Sequence, residues 1–238
     1  MTREKAVVLL SGGLDSATCV YKAKGQGYDP IALSFDYGQR HKAELQAAKR
    51  IAVHLGIEHR VITVDLRKIG GSALTSDIAV PKGGEHLKAE GLIPVTYVPV
   101  RNLIFLSLAY ALSEASGASA IYIGVNAIDY SGYPDCRPDF IESFSRTAAL
   151  ASKTGREGHG ADIVTPLISL SKAEIAAEAV RLGVPVELTW SCYDPQASGT
   201  SLVPCRNCDA CILRRDGFMA AGLALSPEEI YGSPTERA

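Results

Sequence analysis

The sequence predicts an α/β protein: a doubly wound parallel sheet with helices on both faces, followed by a small four-cysteine subdomain. Three observations carry this. Short β-prone apolar runs alternate with helical patterns along most of the chain, as in βαβ units with right-handed crossovers. A Ser-Gly-Gly turn joins the first strand to the first helix. Four of the six cysteines crowd into residues 192–211.

The elements follow in order. Ala6–Leu10 reads as a strand that ends in Ser-Gly-Gly, and Ser16–Ala23 as a helix closed by Gly25-Gln26-Gly27. Ile31–Phe35 is a second strand, and His41–Leu55 a helix that Gly56 stops; Val61–Asp65 is a third strand. Residues Gly70–Gly91, rich in Gly, Lys and Glu, break the rhythm and are expected to form a mobile excursion. A helix over Asn102–Ser116, a strand at Ala120–Val125 and helices over Asp139–Ser152 and Lys172–Leu182 follow, the last capped by Gly183. From Trp190 the character changes, with cysteines and many turn residues. The expected division is a nucleotide-binding domain with the substrate pocket over residues 1–186, then a zinc-binding and C-terminal helical segment over 187–238.

Composition narrows the function classes. Apolar residues make up 47% of the 238, enough for a sizeable core, and the formal charge is −2. That balance argues against a general nucleic-acid-binding surface. No run reaches the length needed to cross a bilayer, and Ala6–Leu10 is too short for a signal peptide's apolar region. A cytoplasmic location is the expectation. Cysteines there are reduced, so a cluster points to metal and not to disulfides.

Ser11-Gly12-Gly13-Leu14-Asp15-Ser16, between strand and helix, is the first chemical motif. Glycines let the backbone turn sharply, and N–H groups at the positive end of the helix then face an anion. Ser11 and Ser16 add hydroxyls, with Thr18 one turn on; Asp15 either holds Mg²⁺ or caps the helix. Gly-Gly alone would be an ordinary tight turn, but the full string favours phosphate binding. It is neither a Walker loop nor a dinucleotide fingerprint. It resembles the pyrophosphate loop of the PP-loop ATP pyrophosphatase superfamily, which implies cleavage of ATP between the α- and β-phosphates. From Leu10 to Ser16 the run would cradle the nucleotide.

Cys192, Cys205, Cys208 and Cys211 are spaced C-x12-C-x2-C-x2-C. Four thiolates with no fifth donor suit a closed structural Zn²⁺ site, one per chain, with an iron–sulfur cluster as the rival. Cys19, within the first helix, reads as core packing; Cys136 sits in a polar setting that packing does not explain. The stretch Gly124–Asp139 starts at a strand's C-terminal end, where open α/β sheets bind ligands. Its carboxylates, Arg137, hydroxyls and rings suit a flat polar heterocycle, and a rigid surface loop fits the residue types equally well.

Taken together, Leu10–Ser16, Phe35–His41, Val98–Leu106, Gly124–Phe140, Thr165–Ile175 and Trp190–Leu213 resemble the 7-cyano-7-deazaguanine synthase family of queuosine precursor biosynthesis. The resemblance spans nearly the whole chain in order, and Asp129–Asp139 with the cysteine tail is its most specific part. It implies an adenine-nucleotide hydrolase-like fold and a ligase that joins a carboxylated deazapurine to ammonia. Two ATP would be split to AMP and diphosphate, with Mg²⁺ accompanying the nucleotide. By the same resemblance Asp15, Lys172 and Arg101 would be catalytic, Lys172 neutralising the β- and γ-phosphates. Arg101 and Asn102 would serve phosphate or substrate. Asn126, Asp129, Tyr130, Tyr133, Asp135 and Arg137 would line the deazaguanine pocket, an acidic side chain accepting paired hydrogen bonds from the base. A homodimer and free ammonia are also implied, since no segment is left over for a glutaminase.

Two departures stand out. Val100 occupies a position where the family pattern has Gly, so a close backbone approach there is expected to shift. The gap from Cys192 to Cys205 is long; the insertion, about Asp194–Leu202, is expected to be a loop that leaves the metal geometry intact. Two other functions compete: tRNA thiolation, which needs a tRNA surface that the charge argues against, and a zinc-ribbon binding module on a degenerate nucleotide fold. Release of AMP excludes the latter.

Overall fold

Lys5–Leu9, here β1, is buried on both faces: Ala6 and Val8 enter one apolar cluster and Val7 and Leu9 the other. A strand apolar on both sides belongs inside a sheet covered by helices. The computed structural model describes residues 3–84, 92–126 and 132–236. Its five-stranded sheet runs β3 (Glu58–Thr63), β2 (Asp29–Asp36), β1, β4 (Ala118–Tyr122), β5 (Asp162–Val164), all neighbours parallel.

The helices are α1 (Leu14–Gly25), α2 (Ala43–Leu55), α3 (Arg101–Ser116), α4 (Pro138–Ala151), α5 (Lys153–Arg156), α6 (Lys172–Arg181), α7 (Asp209–Ala220) and α8 (Pro227–Tyr231). Ala17 and Val20 of α1, Ile51 of α2, Ile175 and Ala179 of α6 and Phe218 of α7 pack on one face. Leu106 and Ala109 of α3 and Ile141 of α4 pack on the other. The doubly wound parallel sheet of the sequence reading is what forms. Cys19 is fully buried in the first cluster, where packing alone accounts for it. No helix among the described residues is long and apolar enough to cross a membrane.

Several boundaries differ from expectation, each for a physical reason. The third strand begins at Glu58, not Val61, because Glu58, His59 and Arg60 pair with Ile31, Ala32 and Leu33. An edge strand is half exposed, so an apolar run underestimates it. The fourth strand stops at Tyr122, since Gly124 passes against the first loop; a Cβ there would lie 3.1 Å from the Asp15 carbonyl carbon. The three-residue β5 is too short to leave a pattern.

The expected mobile excursion is anchored over its described part. Ala73 N–H donates to the Val95 carbonyl at 2.9 Å, and Lys82 pairs with Asp194 at 2.6 Å. Residues 85–91 lie outside the described residues. The Asp194–Leu202 insertion is not a plain loop either. It forms an antiparallel hairpin of β6 (Gln196–Ser198) and β7 (Ser201–Val203), to which β8 (Thr235–Glu236) adds a third strand. The strand that satisfies its outer edge arrives from over thirty residues away, beyond the reach of local pattern.

Val100 keeps the left-handed backbone that a glycine would supply, with φ 48° and ψ 28°, immediately before α3. The left-handed conformation is retained, at a strain cost for a β-branched residue of about 1–2 kcal/mol. Val100→Gly should therefore stabilise the protein by about 1 kcal/mol after the entropy cost of glycine, raising Tm by about 2–4 °C. Calorimetry of the two proteins checks it; an unchanged or lower Tm refutes the strain.

Candidate active site

In this strand order the chain leaves β1 toward β2 and β3, but leaves β4 toward β5, on the opposite side. The crevice beyond the carboxyl ends of β1 and β4 is the place where such sheets bind ligands. A cavity of about 700 Å³ opens there. The first loop forms one wall; Tyr37, Glu44, Arg101, Phe105, Tyr133 and Tyr193 line the other lobe.

The loop is built around Gly12, whose φ is +96°. A Cβ on Gly12 would clash with the Glu44 carbonyl oxygen and lie 2.8 Å from the Ala48 backbone nitrogen. The loop thus packs directly on the backbone of α2, and only glycine fits. Its carbonyl accepts the Trp190 N–H at 2.8 Å. Ser11 and Ser16 hydroxyls lie 3.0 Å apart, and Ser16 Oγ also donates to the Gly13 carbonyl. Gly13 precedes α1 with no side-chain cap, so no side chain of Gly13 competes for the first N–H groups of that helix. Leu10, Ser11, Gly13, Leu14, Asp15 and Ser16 face the cavity. Thr18 does not: it is fully buried and its hydroxyl donates to the Leu14 carbonyl at 2.8 Å. One turn into a helix, that internal bond is the cheaper use of a hydroxyl.

Asp15 is tied by two long-range partners. Lys172 Nζ, from the first turn of α6, lies 2.6 Å from Asp15 Oδ2, and Asn126 Nδ2 donates to the same oxygen at 2.9 Å. Ser171 and Glu174 form a capping box that fixes where α6 starts, and hence where Lys172 emerges. Asn126, expected to touch the heterocycle, holds Asp15.

The second lobe is aromatic around one cation. Arg101 Cζ sits 5.9 Å from the Tyr37 ring centre, Phe35 stacks on Phe105 at 3.9 Å, and Tyr97 stacks on Tyr133 at 5.8 Å. Burial lowers the Arg101 guanidinium, but Tyr37, Tyr193, Tyr133 and Glu44 outweigh it and raise it above its usual value. Burial pushes the Glu44 carboxyl up to about 7, against the opposing pull of Arg101. Burial likewise pushes the Tyr37 hydroxyl up to about 12.

The predicted heterocycle residues divide. Tyr133 lines the cavity, its hydroxyl 3.1 Å from Thr96 Oγ1. Asp135 is buried and accepts the Asn102 backbone N–H at 2.8 Å, serving the start of α3 and not the cavity surface. Burial first, opposed by that hydrogen bond, raises its carboxyl. Cys136 lines the pocket and accepts from Asn102 Nδ2 at 3.0 Å. Arg137 faces solvent beside Asp139, 3.6 Å away. Asp129 and Tyr130 lie outside the described residues.

The four cysteines converge as their spacing predicted, with all sulfurs within 4.8 Å of one another. A tetrahedral ion with bonds of about 2.3 Å separates its sulfurs by roughly 3.8 Å, so the set fits a metal ion. Backbone N–H groups of Cys205 and Cys208 point at the sulfurs of Cys192 and Cys205, at 3.2 and 3.3 Å. Hydrogen bonds from Cys192 and Cys211 hold the Cys208 thiol below its usual value; bonds with Cys208 and Cys211, then burial, raise Cys192. A bound cation would displace the protons that crowding holds on the neighbouring thiols. Leu202 of the hairpin packs against this cluster, and the four sulfurs still converge.

Sequence reading missed Tyr37, Glu44, Tyr193 and Arg214 as pocket residues. Tyr37 lay inside a segment already singled out by resemblance. Glu44 and Arg214 sit on helices whose pattern distinguishes them in no way from surface charges; their distant packing partners decide their burial.

The family model described as Queuosine biosynthesis protein QueC matches residues 5–222. The 7-cyano-7-deazaguanine synthase of Myxococcus xanthus (strain DK1622) is 53% identical over 221 residues, 92% of this chain and 95% of that protein. Its counterpart from Pseudomonas aeruginosa (strain LESB58) is 57% identical over 226 residues, 94% and 97% of the two chains. That from Desulfatibacillum aliphaticivorans is 56% identical over 223 residues, 93% and 94%.

Proposed function

The chain belongs to the queuosine biosynthesis protein QueC family, and from that premise we propose that it converts 7-carboxy-7-deazaguanine and ammonia into 7-cyano-7-deazaguanine, splitting two ATP to AMP and diphosphate. One observation supports this most. The Ser11–Ser16 loop with Lys172 and the aromatic lobe around Arg101 open into one cavity, so a nucleotide and a flat heterocycle fit side by side.

The chemistry needs that adjacency twice. The substrate carboxylate attacks the α-phosphorus of ATP, diphosphate leaves, and the acyl carbon becomes electrophilic. Ammonia adds there and AMP departs, leaving the amide and a released proton. The amide oxygen then attacks the α-phosphorus of a second ATP, and a second diphosphate leaves. Loss of AMP with two protons from nitrogen leaves the nitrile. Ser11, Ser16 and the loop backbone cradle the phosphates, and Lys172 offsets the charge that grows on the departing diphosphate. Mg²⁺ arriving with ATP would shield the same oxygens, and Asp15 is the loop carboxylate that would hold it. Arg101 is the cation that meets the substrate carboxylate, and the Tyr133 and Phe105 rings bound the heterocycle. Four thiolates would hold Zn²⁺ away from the chemistry, ordering the C-terminal wall.

The test is incubation with the carboxylated deazapurine, ATP, Mg²⁺ and ammonium, with mass analysis. Two AMP per nitrile, with the amide seen at early times, is the expected result. Product without AMP, or AMP without nitrile, sinks the reading.

A further inference from the structure

Arg214 is a buried cation outside the proposed chemistry. It lies in α7, three residues after Cys211, is 5% exposed, and reaches the wall of the nucleotide cavity. Among the described residues no carboxylate lies within ion-pair distance of it. An unpaired buried charge is costly, and burial lowers its guanidinium to about 10.

What holds it is a complete set of neutral acceptors. A guanidinium has five N–H bonds. Here Nε donates to the Ile230 carbonyl, Nη1 to Thr189 Oγ1 (2.7 Å) and Ser191 Oγ (3.2 Å), and Nη2 to the carbonyls of Val186 (2.8 Å) and Glu229 (3.1 Å). Every donor is engaged, so none is left for a phosphate oxygen. Arg214 therefore does not grip the nucleotide. Its acceptors are instead the segment from Val186 to Ser191 and the end of α8. Within that segment, between Thr189 and Ser191, is Trp190, fully buried, whose backbone N–H holds the Gly12 carbonyl at 2.8 Å. Gly12 is the one loop residue with an obligatory left-handed backbone.

We propose that Arg214 is a positioning residue: it clamps the 186–191 strap so that Trp190 fixes Gly12, and thereby ties the order of the four-cysteine helix to the shape of the phosphate loop. The inference deepens the nucleotide reading and rests on it. A fixed five-acceptor cradle is also why arginine is required. Lysine keeps the charge but offers three donors from one point, and cannot bridge the strap and α8 together.

The experiment compares the metal-bound unaltered chain with R214K and T189V, the latter removing one acceptor while keeping shape and charge. Metal per chain, the ATP concentration for half-maximal thermal shift, and kcat against KM are measured. R214K should keep its metal and raise half-saturating ATP about tenfold or more, from the loss of charge-assisted hydrogen bonds. T189V should move it about three- to fivefold in the same direction. In both, KM for ATP should rise more than kcat falls. If R214K does not fold, T189V decides alone. Wild-type ATP affinity in R214K or in T189V overturns the clamp. No thermal shift by ATP in the unaltered chain refutes the nucleotide site itself, which is a different failure.

Discussion

Lys172→Met should leave the protein folded and reduce kcat/KM for ATP by about 100- to 1000-fold, as losing one pre-placed electrostatic group does in other active sites. The lysine is 2.6 Å from Asp15 Oδ2, and Asn126 still holds that oxygen when the cation is gone. Folding cost is small, because the pair is partly exposed and one partner remains satisfied. The catalytic cost is large, because charge builds on the departing diphosphate in the same partly enclosed cavity, where few waters can replace the ammonium. K172R should recover part of the activity: it keeps the charge but must fit a broader planar group beside the loop. Diphosphate release by each variant, with a melting curve beside it, checks the claim. Activity of K172M within tenfold of the unaltered protein would remove Lys172 from the chemistry.

How much of this site could be read from the chain depends on how local each feature is. The phosphate loop was legible because strand, glycine turn and helix are consecutive, and Gly12 can be recognised as a turn residue before its packing is known. The helix start at Lys172 was legible from pattern, and its suggested role came from the resemblance; Ser171 and Glu174, three apart, are what fix that start. The cysteines were legible from spacing, although Cys192 comes from across an inserted hairpin. Asp135 and Asn126 were placed at the heterocycle by resemblance, and their contacts in the fold are not local. Their side chains turn to α3 and to Asp15, contacts 33 and 111 residues apart in sequence. Glu44 and Arg214 show the limit most clearly. Each is a charged residue on a helix, a type that normally faces water, and only the fold decides that both reach the pocket and that α8 buries Arg214.

Cys208→Ser should empty the metal site and lower Tm by about 10 °C or more, the equivalent of roughly 3–5 kcal/mol in a protein of this size. Isolated zinc modules owe their whole fold to the metal. Here the sheet and its two apolar clusters stand independently of the cysteines, so the loss is expected to be partial and concentrated in the C-terminal wall. Cys208 is fully buried and precedes the first turn of α7. Serine in its place leaves three thiols crowded around a void, with a weaker ligand that must be deprotonated to bind. The unaltered protein should contain one zinc per chain and show no visible absorption; a coloured protein with iron and sulfide would replace zinc by a cluster. Because Cys211 and Arg214 share α7, loosening its first turn should also loosen the strap that Trp190 fixes to Gly12. The variant should then lose ATP affinity although no cysteine reaches the phosphate loop. Limited proteolysis places the damage: cleavage should appear after residue 186 while the sheet stays protected. A metal-free variant that melts and binds ATP like the unaltered chain would show that the cysteines bear no structural weight.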